Sequence, residues 1–387
     1  MKLLERIWWG ERPGPAEALL LAPLSLGALA FGAAAAVRGA LYRGGLLPAA
    51  RAGVPVISVG NLAVGGAGKT PATLALASRL GARGRRVAIL SRGYGASRRD
   101  ARVVSDGSRL LLSAAEAGDE PVLLARRLPG AVVVCGPRRA ALVPVAAALG
   151  ADVLLLDDGF QHRALARDLD VVVLDAGNPF GNGRLLPRGP NREAPSALGR
   201  AGLIWLSRVD QASPERLERL RARAREATGR EPVESSHAPT DVLDGTLARS
   251  LGAGVLRGEK VLALSGLARP GGFHRTLADL GAEVAAARAF PDHHRFTGAE
   301  LDEALRAAAA AGCAAVVTTE KDAVRLPPAR AEDPRLRVVR IEARVVRGAE
   351  ALDAALEGAL RVAAAPAPVA GLRQAEREPT APPAPGP

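Results

Sequence analysis

A glycine-rich run near residue 60 constrains the fold more than any other part of this 387-residue chain. The run follows an apolar strand candidate, opens a helical pattern, and reads Gly60-Asn61-Leu62-Ala63-Val64-Gly65-Gly66-Ala67-Gly68-Lys69-Thr70. In such a loop, backbone amides and the helix N-terminus face phosphate oxygens, while the lysine binds the terminal phosphates and the hydroxyl binds Mg²⁺. The run therefore predicts a nucleotide-phosphate loop on an α/β core.

Lysine usage supports this interpretation. Only four of the 52 basic residues are lysines, and Lys69 is one of them, at a position where an ammonium is not equivalent to a guanidinium. The strict pattern has glycine where Ala63 stands, so a glycine-rich turn without a ligand is the alternative. The candidate ATP- and phosphate-binding residues are Gly60, Asn61, Gly65, Gly66, Ala67, Gly68, Lys69 and Thr70.

Short apolar runs alternate with helical patterns after this loop, which is typical of parallel strands covered on both faces. The expected class is α/β: a P-loop NTPase-like parallel sheet flanked by helices, a smaller α/β second domain, and an N-terminal membrane-associated helix. Residues 235–258 are expected to be irregular, and helices are expected at 214–228, 272–280, 298–311 and 349–360. Strand candidates are residues 55–59, 87–90, 131–135, 153–156, 171–174, 203–206, 261–264, 284–287, 315–318 and 338–341.

Changes in pattern along the chain predict its division into parts. The tail is rich in alanine and proline and is expected to be disordered. The expected parts are an N-terminal membrane-associated segment (1–50), a P-loop core (51–238), a smaller α/β domain (239–345), a C-terminal helix (346–362) and the tail (363–387).

Two acids follow the strand candidate at 153–156. Asp157 and Asp158 stand where an apolar strand ends, which places carboxylates at the edge of the sheet that also carries the phosphate loop. Strand-end aspartates are also common as turn formers. After a phosphate loop on a preceding strand, the interpretation as Mg²⁺ ligands is favoured.

The N-terminal segment contains an apolar stretch about as long as a membrane-spanning helix. Residues 18–37 carry no charge and would just span a bilayer, but their alanines, glycines and Pro23 make them only weakly hydrophobic. Basic and aromatic flanks favour an interfacial helix over a true span, and a buried helix is the alternative. A cleaved signal peptide conflicts with a nucleotide loop downstream. The flanking residues are Lys2, Arg6, Trp8, Trp9, Arg12, Arg38, Tyr42, Arg43 and Arg51.

Net charge indicates the kind of partner that the protein binds, and cysteine usage indicates its redox compartment. The formal net charge of +12 suits an anionic partner such as a nucleotide or a phospholipid surface. Nucleic acid is not expected, because no zinc-finger spacing, RNA-binding aromatic motif or basic block occurs. Cys135 and Cys313 lie far apart in apolar runs, which predicts free thiols in a reducing compartment.

Six segments occur in the order found in one family, and together they identify it. The chain closely resembles the tetraacyldisaccharide 4′-kinases of lipid A biosynthesis, from the N-terminal segment to about residue 360. These segments are residues 60–71, Ser91-Arg92-Gly93-Tyr94-Gly95, Gly118-Asp119-Glu120-Pro121, Asp157-Asp158-Gly159-Phe160-Gln161-His162, Pro291-Asp292-His293-His294 and Thr319-Glu320-Lys321-Asp322.

The resemblance implies a reaction and a pair of catalytic residues. Kinases of that family transfer the ATP γ-phosphate to the 4′-hydroxyl of a lipid A disaccharide 1-phosphate and give lipid IVA. It implies that Asp119 acts with His293; a carboxylate oriented by an imidazole can accept the hydroxyl proton. From the residues alone, Asp119 is expected to cap the next helix and not to act in catalysis. The sequence does not decide between His293 and His294.

The remaining candidates rest on the same resemblance. Arg92, Tyr94 and Arg192 are expected to contact the sugar phosphate or ATP, and Glu193 is expected to help Thr70, Asp157 and Asp158 hold Mg²⁺. Surface charges on glycine-rich turns are the alternative. His162 is expected to organise its loop, and Lys321 has no assigned role. Ala67 departs from the family, where a hydroxyl residue is common.

Two other function classes compete with the lipid kinase. A P-loop GTPase switch would need a guanine motif, and only Ser207-Arg208-Val209-Asp210 resembles one. A kinase for a soluble acceptor is disfavoured by the N-terminal segment. The expected partners are the lipid acceptor and a membrane surface at the cytoplasmic face of the inner membrane, with no obligate protein partner and no nucleic acid.

Overall fold

The computed structural model describes residues 2–10, 13–96, 100–267 and 270–364. Its twelve strands form one sheet in the order β10-β9-β11-β12-β8-β7-β6-β1-β5-β2-β4-β3. The strands are β1 (Val56–Gly60), β2 (Val87–Ser91), β3 (Arg102–Asp106), β4 (Val132–Cys135), β5 (Val153–Asp157), β6 (Leu169–Asp175), β7 (Leu203–Ser207), β8 (Val233–Asp244), β9 (Lys260–Ser265), β10 (Glu283–Ala289), β11 (Ala315–Thr319) and β12 (Leu336–Arg347).

Thirteen α-helices are described, together with short 3-10 helices at Pro195–Arg200, Val209–Gln211 and Ala253–Leu256. The α-helices are α1 (Lys2–Trp8), α2 (Pro15–Leu20), α3 (Ala22–Arg43), α4 (Lys69–Ala82), α5 (Ala114–Ala117), α6 (Asp119–Arg127), α7 (Arg139–Ala148), α8 (Pro214–Thr228), α9 (Gly271–Asp279), α10 (Gly298–Ala310), α11 (Glu320–Ala323), α12 (Pro328–Ala331) and α13 (Ala349–Ala364).

The sheet is mainly parallel, and it confirms the predicted α/β class. Only the β3–β4 and β8–β12 pairs are antiparallel among the described strand pairs. The central strands are buried over their whole length, as expected when helices cover both faces. Helix α4 buries Leu76 and Leu80 in the cluster that contains Ile57 of β1, and α13 adds Leu352 and Leu356 to it.

Strand register brings the chemistry to one edge. Strands β1 and β5 pair with Val59 opposite Asp157, and β2 pairs with β5 so that Leu90 lies opposite Leu156. The ends of these three strands, and therefore Gly60, Ser91 and Asp157, meet at the same edge of the sheet. This is the edge at which α/β sheets bind ligands.

The prediction of irregular structure at 235–258 is wrong for its first ten residues. They belong to β8, a twelve-residue strand that pairs antiparallel with β12 over nearly its whole length. Polar residues such as Ser235 and His237 interrupt the apolar pattern by which a strand is recognised in the sequence. The strand is stabilised instead by pairing with β12, which lies far along the chain. Strand β8 also runs across the predicted boundary at residue 238, and the division into domains stays a prediction. The edge strand β3 was not predicted either.

The N-terminal apolar segment forms two helices, α2 and α3, which meet at Leu21. Helix α3 is the one described helix that is long and apolar enough to cross a membrane, with a mean hydropathy of 1.6. Such a helix is weak evidence by itself, since a signal sequence passes the same test. Residues 363 and 364 of the predicted tail belong to α13, so the helix runs two residues past the predicted boundary at residue 362, and the rest of the tail lies outside the described residues.

Candidate active site

The glycine-rich loop leads into the N-terminus of α4 and packs against Ser207 at the end of β7 and His237 within β8. Gly68 has a φ of +87° and ends the loop at Lys69, a conformation that L side chains rarely adopt. A Cβ atom there would lie 3.0 Å from His237 Nε2 and 3.1 Å from Ser207. Ser207 Oγ donates to the Ala67 carbonyl over 2.7 Å. Both the backbone conformation and the packing therefore require glycine.

Lys69 lies within a compact polar cluster. Its Nζ atom donates to Asn61 Oδ1 over 3.2 Å and lies 3.5 Å from Asp158 Oδ1. Arg192 donates to both oxygens of Asp158, at 2.8 and 2.9 Å, and also to Asn61 Oδ1. Burial would raise the pKa of Asp158, but Lys69 and Arg192 outweigh it and hold that pKa well below its usual range. The structure thus brings four sequence-predicted residues together.

Asp157 is placed differently from its neighbour. It is buried and accepts a hydrogen bond from Ser91 Oγ over 3.1 Å. Burial, followed by the charges of Glu120 and Asp158, raises the pKa of Asp157 to about 7 although Lys69 acts against this shift. The ionised form of Asp157 is therefore disfavoured first by burial and then by neighbouring negative charge, which Lys69 offsets only in part.

Glu193 is held by arginines. Arg200 and Arg163 donate to Glu193 at 2.7 and 2.9 Å, and Gln161 Nε2 lies 3.3 Å from its Oε1 atom. Burial would raise the pKa of Glu193, and these arginines lower it below its ordinary value. Its carboxylate links the turn after β5 to the 3-10 helix at Pro195–Arg200.

A second cluster joins Asp119 to His293. His293 Nδ1 lies 2.9 Å from Asp119 Oδ2, and Arg325 Nη1 lies 3.7 Å from the same oxygen. Asp119 is buried at the start of α6. Burial would raise its pKa, but the His293 hydrogen bond and the charges of His293, Lys321 and Arg325 hold it below the usual value.

The two adjacent histidines face different partners. His294 Nε2 lies 3.0 Å from Glu300, and its ring stacks on Phe290 with centroids 4.5 Å apart. The backbone of His293 is left-handed, with a φ of +60°, which is uncommon for a residue with a side chain. This turn directs only His293 toward Asp119.

The other predicted residues are more dispersed. Tyr94 is 64% exposed and its ring centroid lies 5.1 Å from that of His293, whereas Arg92 is exposed at the end of β2. His162 lies in the turn after β5, where its amide donates to the Gly159 carbonyl over 2.8 Å. Burial, followed by Arg139, lowers the pKa of His162 to about 4. The loop-organising role of His162 stays a prediction.

Sequence reasoning missed Arg208 and Arg325. Arg208 Nη1 donates to the Gly66 carbonyl and to Asp175 Oδ2, both over 2.8 Å, so it secures the phosphate loop from the end of β7. Arg325 contacts Asp119 from the segment that follows α11. Arginines are so frequent in this chain that neither stands out, although Arg208 lies in the weak guanine-motif match.

The N-terminal segment reaches the site loops. Trp8 Nε1 donates to the Pro187 carbonyl over 3.2 Å, and Asn178 Nδ2 donates to the Trp9 carbonyl over 3.0 Å. A Cβ atom on Gly65 of the phosphate loop would lie 3.5 Å from the Trp9 ring. The segment therefore supports the loops at 178–187 as well as carrying the apolar helix.

Comparisons with known proteins identify the family of the chain. The model of the family described as tetraacyldisaccharide-1-P 4′-kinase matches residues 17–361. The tetraacyldisaccharide 4′-kinase of Anaeromyxobacter sp. (strain Fw109-5) is 74% identical, covering 93% of this chain and 97% of that protein. The corresponding kinase of Syntrophus aciditrophicus (strain SB) is 40% identical, covering 84% of this chain and 89% of the relative.

A solved structure is also similar. The crystal structure of LpxK from Aquifex aeolicus in complex with ATP superposes with a TM-score of 0.71 at 31% sequence identity. The match covers 88% of this chain and 98% of that one. The chain therefore belongs to the tetraacyldisaccharide-1-P 4′-kinase family.

Proposed function

We propose that this kinase, which transfers the γ-phosphate of ATP to the 4′-hydroxyl of a tetraacyldisaccharide 1-phosphate to form lipid IVA, activates that hydroxyl with Asp119 and His293. Family membership supports the reaction. The 2.9 Å contact between His293 Nδ1 and Asp119 Oδ2 carries the assignment of the pair. A sugar hydroxyl must lose its proton as it attacks phosphorus, and a positioned carboxylate can accept that proton.

The phosphates of ATP bind the loop from Gly60 to Thr70. Lys69 exchanges its contacts with Asn61 and Asp158 for phosphate oxygens, and its ammonium then neutralises charge that develops during transfer. Arg192 already neutralises Asp158, so Lys69 can leave that carboxylate without exposing an unpaired charge. The glycine conformation and the Arg208 contacts keep the loop amides in place.

Acceptor activation is the task of the second cluster. The contacts of Asp119 with His293 and Arg325 both fall on its Oδ2 atom, so Oδ1 is the oxygen that receives the hydroxyl proton. The lowered pKa of Asp119 keeps the carboxylate ionised and able to accept a proton at neutral pH. His293 fixes the orientation of the carboxylate during this step.

The fit to Mg²⁺ rests on Asp157. No group of three or more His, Cys, Asp or Glu side chains within the described residues is spaced to enclose a metal by itself. However, Asp157 is buried next to Asp158 at the end of β5, and a cation carried in with ATP would stabilise its ionised carboxylate against that burial and that like charge. Thr70, Asp157 and Asp158 would hold this ion, which supplies charge neutralisation at the phosphates. Glu193 would first have to exchange its arginine partners.

Contacts to the sugar phosphate fall to exposed residues. Tyr94 lies beside His293, and Arg92 is exposed on the same loop, so both face the side from which an acceptor approaches. Arg192 is half-buried on Asp158 and is nearer to the ATP phosphates. We assign Arg92 and Tyr94 to the acceptor and Arg192 to the nucleotide side.

The proposed location is the cytoplasmic face of the inner membrane. Helix α3 exposes Leu26 and Leu29, which are 71% and 72% accessible, and such a surface gains by leaving water. Basic flanking residues gain near anionic headgroups. The acceptor carries acyl chains that confine it to a bilayer, so an interfacial helix delivers the enzyme to it.

A mixing assay tests the reaction itself. Purified protein receives γ-labelled ATP or GTP and the detergent-dispersed disaccharide 1-phosphate, and the product is mapped by NMR. Label at the 4′ position with ATP is expected. Equal transfer of label from GTP would favour the GTPase class. Transfer of label to a soluble sugar without acyl chains would favour a kinase for a soluble acceptor.

A further inference from the structure

Lys321 is the remaining cation beside the Asp119–His293 pair. It lies in α11, directly after β11, with its side chain 24% exposed. Its Nζ atom is 3.2 Å from Asp292 Oδ1 and 3.5 Å from His293 Nε2. No step of the proposed reaction yet uses this ammonium group, although lysine is rare in the chain.

The turn that carries Lys321 is firmly anchored. Asp322 N donates to Thr319 Oγ1 over 3.1 Å, and Thr319 Oγ1 donates to Asp322 Oδ2 over 2.8 Å. Buried Glu320 accepts from Arg127 over 2.6 Å and from Arg340 over 2.9 Å. Arg127 lies on α6, the helix that begins at Asp119. Its contact with Glu320 therefore fixes the position of the Lys321 turn relative to the Asp119 carboxylate.

Three contacts of the His293 ring bear on its proton: Asp119 Oδ2 lies at Nδ1, and Lys321 Nζ and Asp292 Oδ2 lie 3.5 and 3.8 Å from Nε2. Nδ1 must carry hydrogen in order to donate to the Asp119 carboxylate. The ammonium of Lys321 has only donors, so a hydrogen on Nε2 would face another donor across 3.5 Å. Lys321 lies nearer to Nε2 than Asp292 does and also pairs with Asp292 over 3.2 Å, so the arrangement favours the neutral imidazole with its hydrogen on Nδ1.

We infer that Lys321 is a positioning residue that keeps His293 in the neutral Nδ1–H form directed at Asp119. An imidazolium in that place would bind the carboxylate as an ion pair and weaken it as a base. Lys321 therefore serves the proton-accepting step without touching the acceptor. This inference rests on the proposed role of Asp119.

Other charged or titratable groups face the pair from every side. Asp292 precedes His293 and accepts from Lys321, Arg325 lies beside Asp119 Oδ2, and the Tyr94 ring packs near His293. Replacing Lys321 removes the ammonium that opposes a hydrogen on His293 Nε2, so the imidazolium form, which pairs with Asp119 and weakens it as a base, should persist to higher pH. The acid limb of the rate profile should then move to higher pH.

Histidine NMR gives a readout that does not depend on turnover. The chain has five histidines, and ¹⁵N spectra distinguish Nδ1–H from Nε2–H and from imidazolium. The His293 signals are assigned as those lost in His293→Asn. We expect the Nδ1–H form in the wild-type protein and an imidazolium or Nε2–H form in Lys321→Met at the same pH. Signals that are identical in the two proteins would overturn the inference.

Kinetics give the second test, with a matched lysine as control. Lys321→Met should lower kcat about tenfold at neutral pH, leave KM for ATP nearly unchanged, and move the acid limb of kcat/KM up by about one pH unit. Lys321→Arg keeps the charge and should hold the limb near its wild-type position. Lys260→Met removes an exposed lysine that pairs with Glu283 over 3.8 Å on another edge, and should change nothing.

The outcomes separate this inference from the proposed function. A Lys321→Met protein with a raised KM for ATP and an unmoved acid limb would mean that the ammonium binds phosphate, which contradicts the inference. Lys321→Gln repeats the test if the methionine variant does not fold. If Asp119→Asn keeps wild-type kcat, the proposed base is wrong; if Asp119→Asn is crippled while Lys321→Met behaves as wild type, only the inference fails.

Discussion

His293 Nδ1 lies 2.9 Å from Asp119 Oδ2, although 174 residues separate the two along the chain. Asp119 begins α6 and His293 occupies the turn between β10 and α10, so the pair forms only when the two ends of the sheet are correctly assembled. The contact between His293 and Asp119 therefore depends on the correct fold and also carries the proposed chemistry. The following predictions examine the parts on which this contact depends.

Lys69 tests the phosphate loop. Lys69→Ala should reduce kcat by roughly three orders of magnitude or more while the protein stays folded, because phosphoryl transfer depends on positioning and charge neutralisation. Steady-state assays together with circular dichroism check this. Lys260→Ala is the control, and near-normal activity of a folded Lys69→Ala protein would remove the assignment of the loop.

Arg127 tests the anchoring of α6. Its side chain is 9% exposed and lies 2.6 Å from buried Glu320, so Arg127→Met leaves a carboxylate with one cation fewer in a poorly solvated position. The free energy of unfolding should fall by about 3 kcal/mol in urea titrations. Arg85→Met, which breaks a 3.8 Å pair with both side chains 43% exposed, should cost under about 1 kcal/mol. Equal losses in the two variants would contradict this contrast.

Helix α3 tests delivery to the membrane. Deleting residues 1–38 would also remove Trp8 and Trp9, which support the site loops, so substitutions on the exposed face are the cleaner change. Leu26→Asp with Leu29→Asp should release the protein from anionic vesicles and raise KM for bilayer-presented acceptor, with KM for ATP unchanged.

Val346→Asp is the control for that experiment, because Val346 is 54% exposed on β12, a strand at a different place in the fold. Vesicle sedimentation at low and high salt measures the outcome. Undiminished vesicle binding by the double α3 variant would show that another surface holds the membrane. Binding that high salt abolishes in the wild type favours an interfacial helix over a spanning one.

Much of the sheet could be predicted from sequence because its central strands are apolar throughout. Strands β4, β5 and β7 are short segments buried over their whole length, and β6 differs only in the partly exposed Asp170. β8 was missed because its residues are stabilised by antiparallel pairing with β12, about 100 residues away, and not by local periodicity. β3 is an edge strand with charged ends, which carries little apolar signal.

The site shows a similar division. The loop at Lys69 and the strand-end acids at 157 and 158 are local patterns, and the sequence shows them directly. The pairing of Arg192 with Asp158, and of Arg325 with Asp119, joins distant segments in a chain where arginine is common. No local signal marks which arginine is used, so these contacts needed the structure.

A double-mutant cycle on Asp119 and His293 tests the central claim most directly. The measurement is kcat for wild type, Asp119→Asn, His293→Ala and the double variant, with KM for ATP and thermal unfolding as controls for binding and folding. The account predicts that each single change lowers kcat by about 100-fold or more, and that the double variant is little worse than the worse single one, because the residues act as a unit. Fully multiplicative losses, or a wild-type kcat for either single variant, would contradict it.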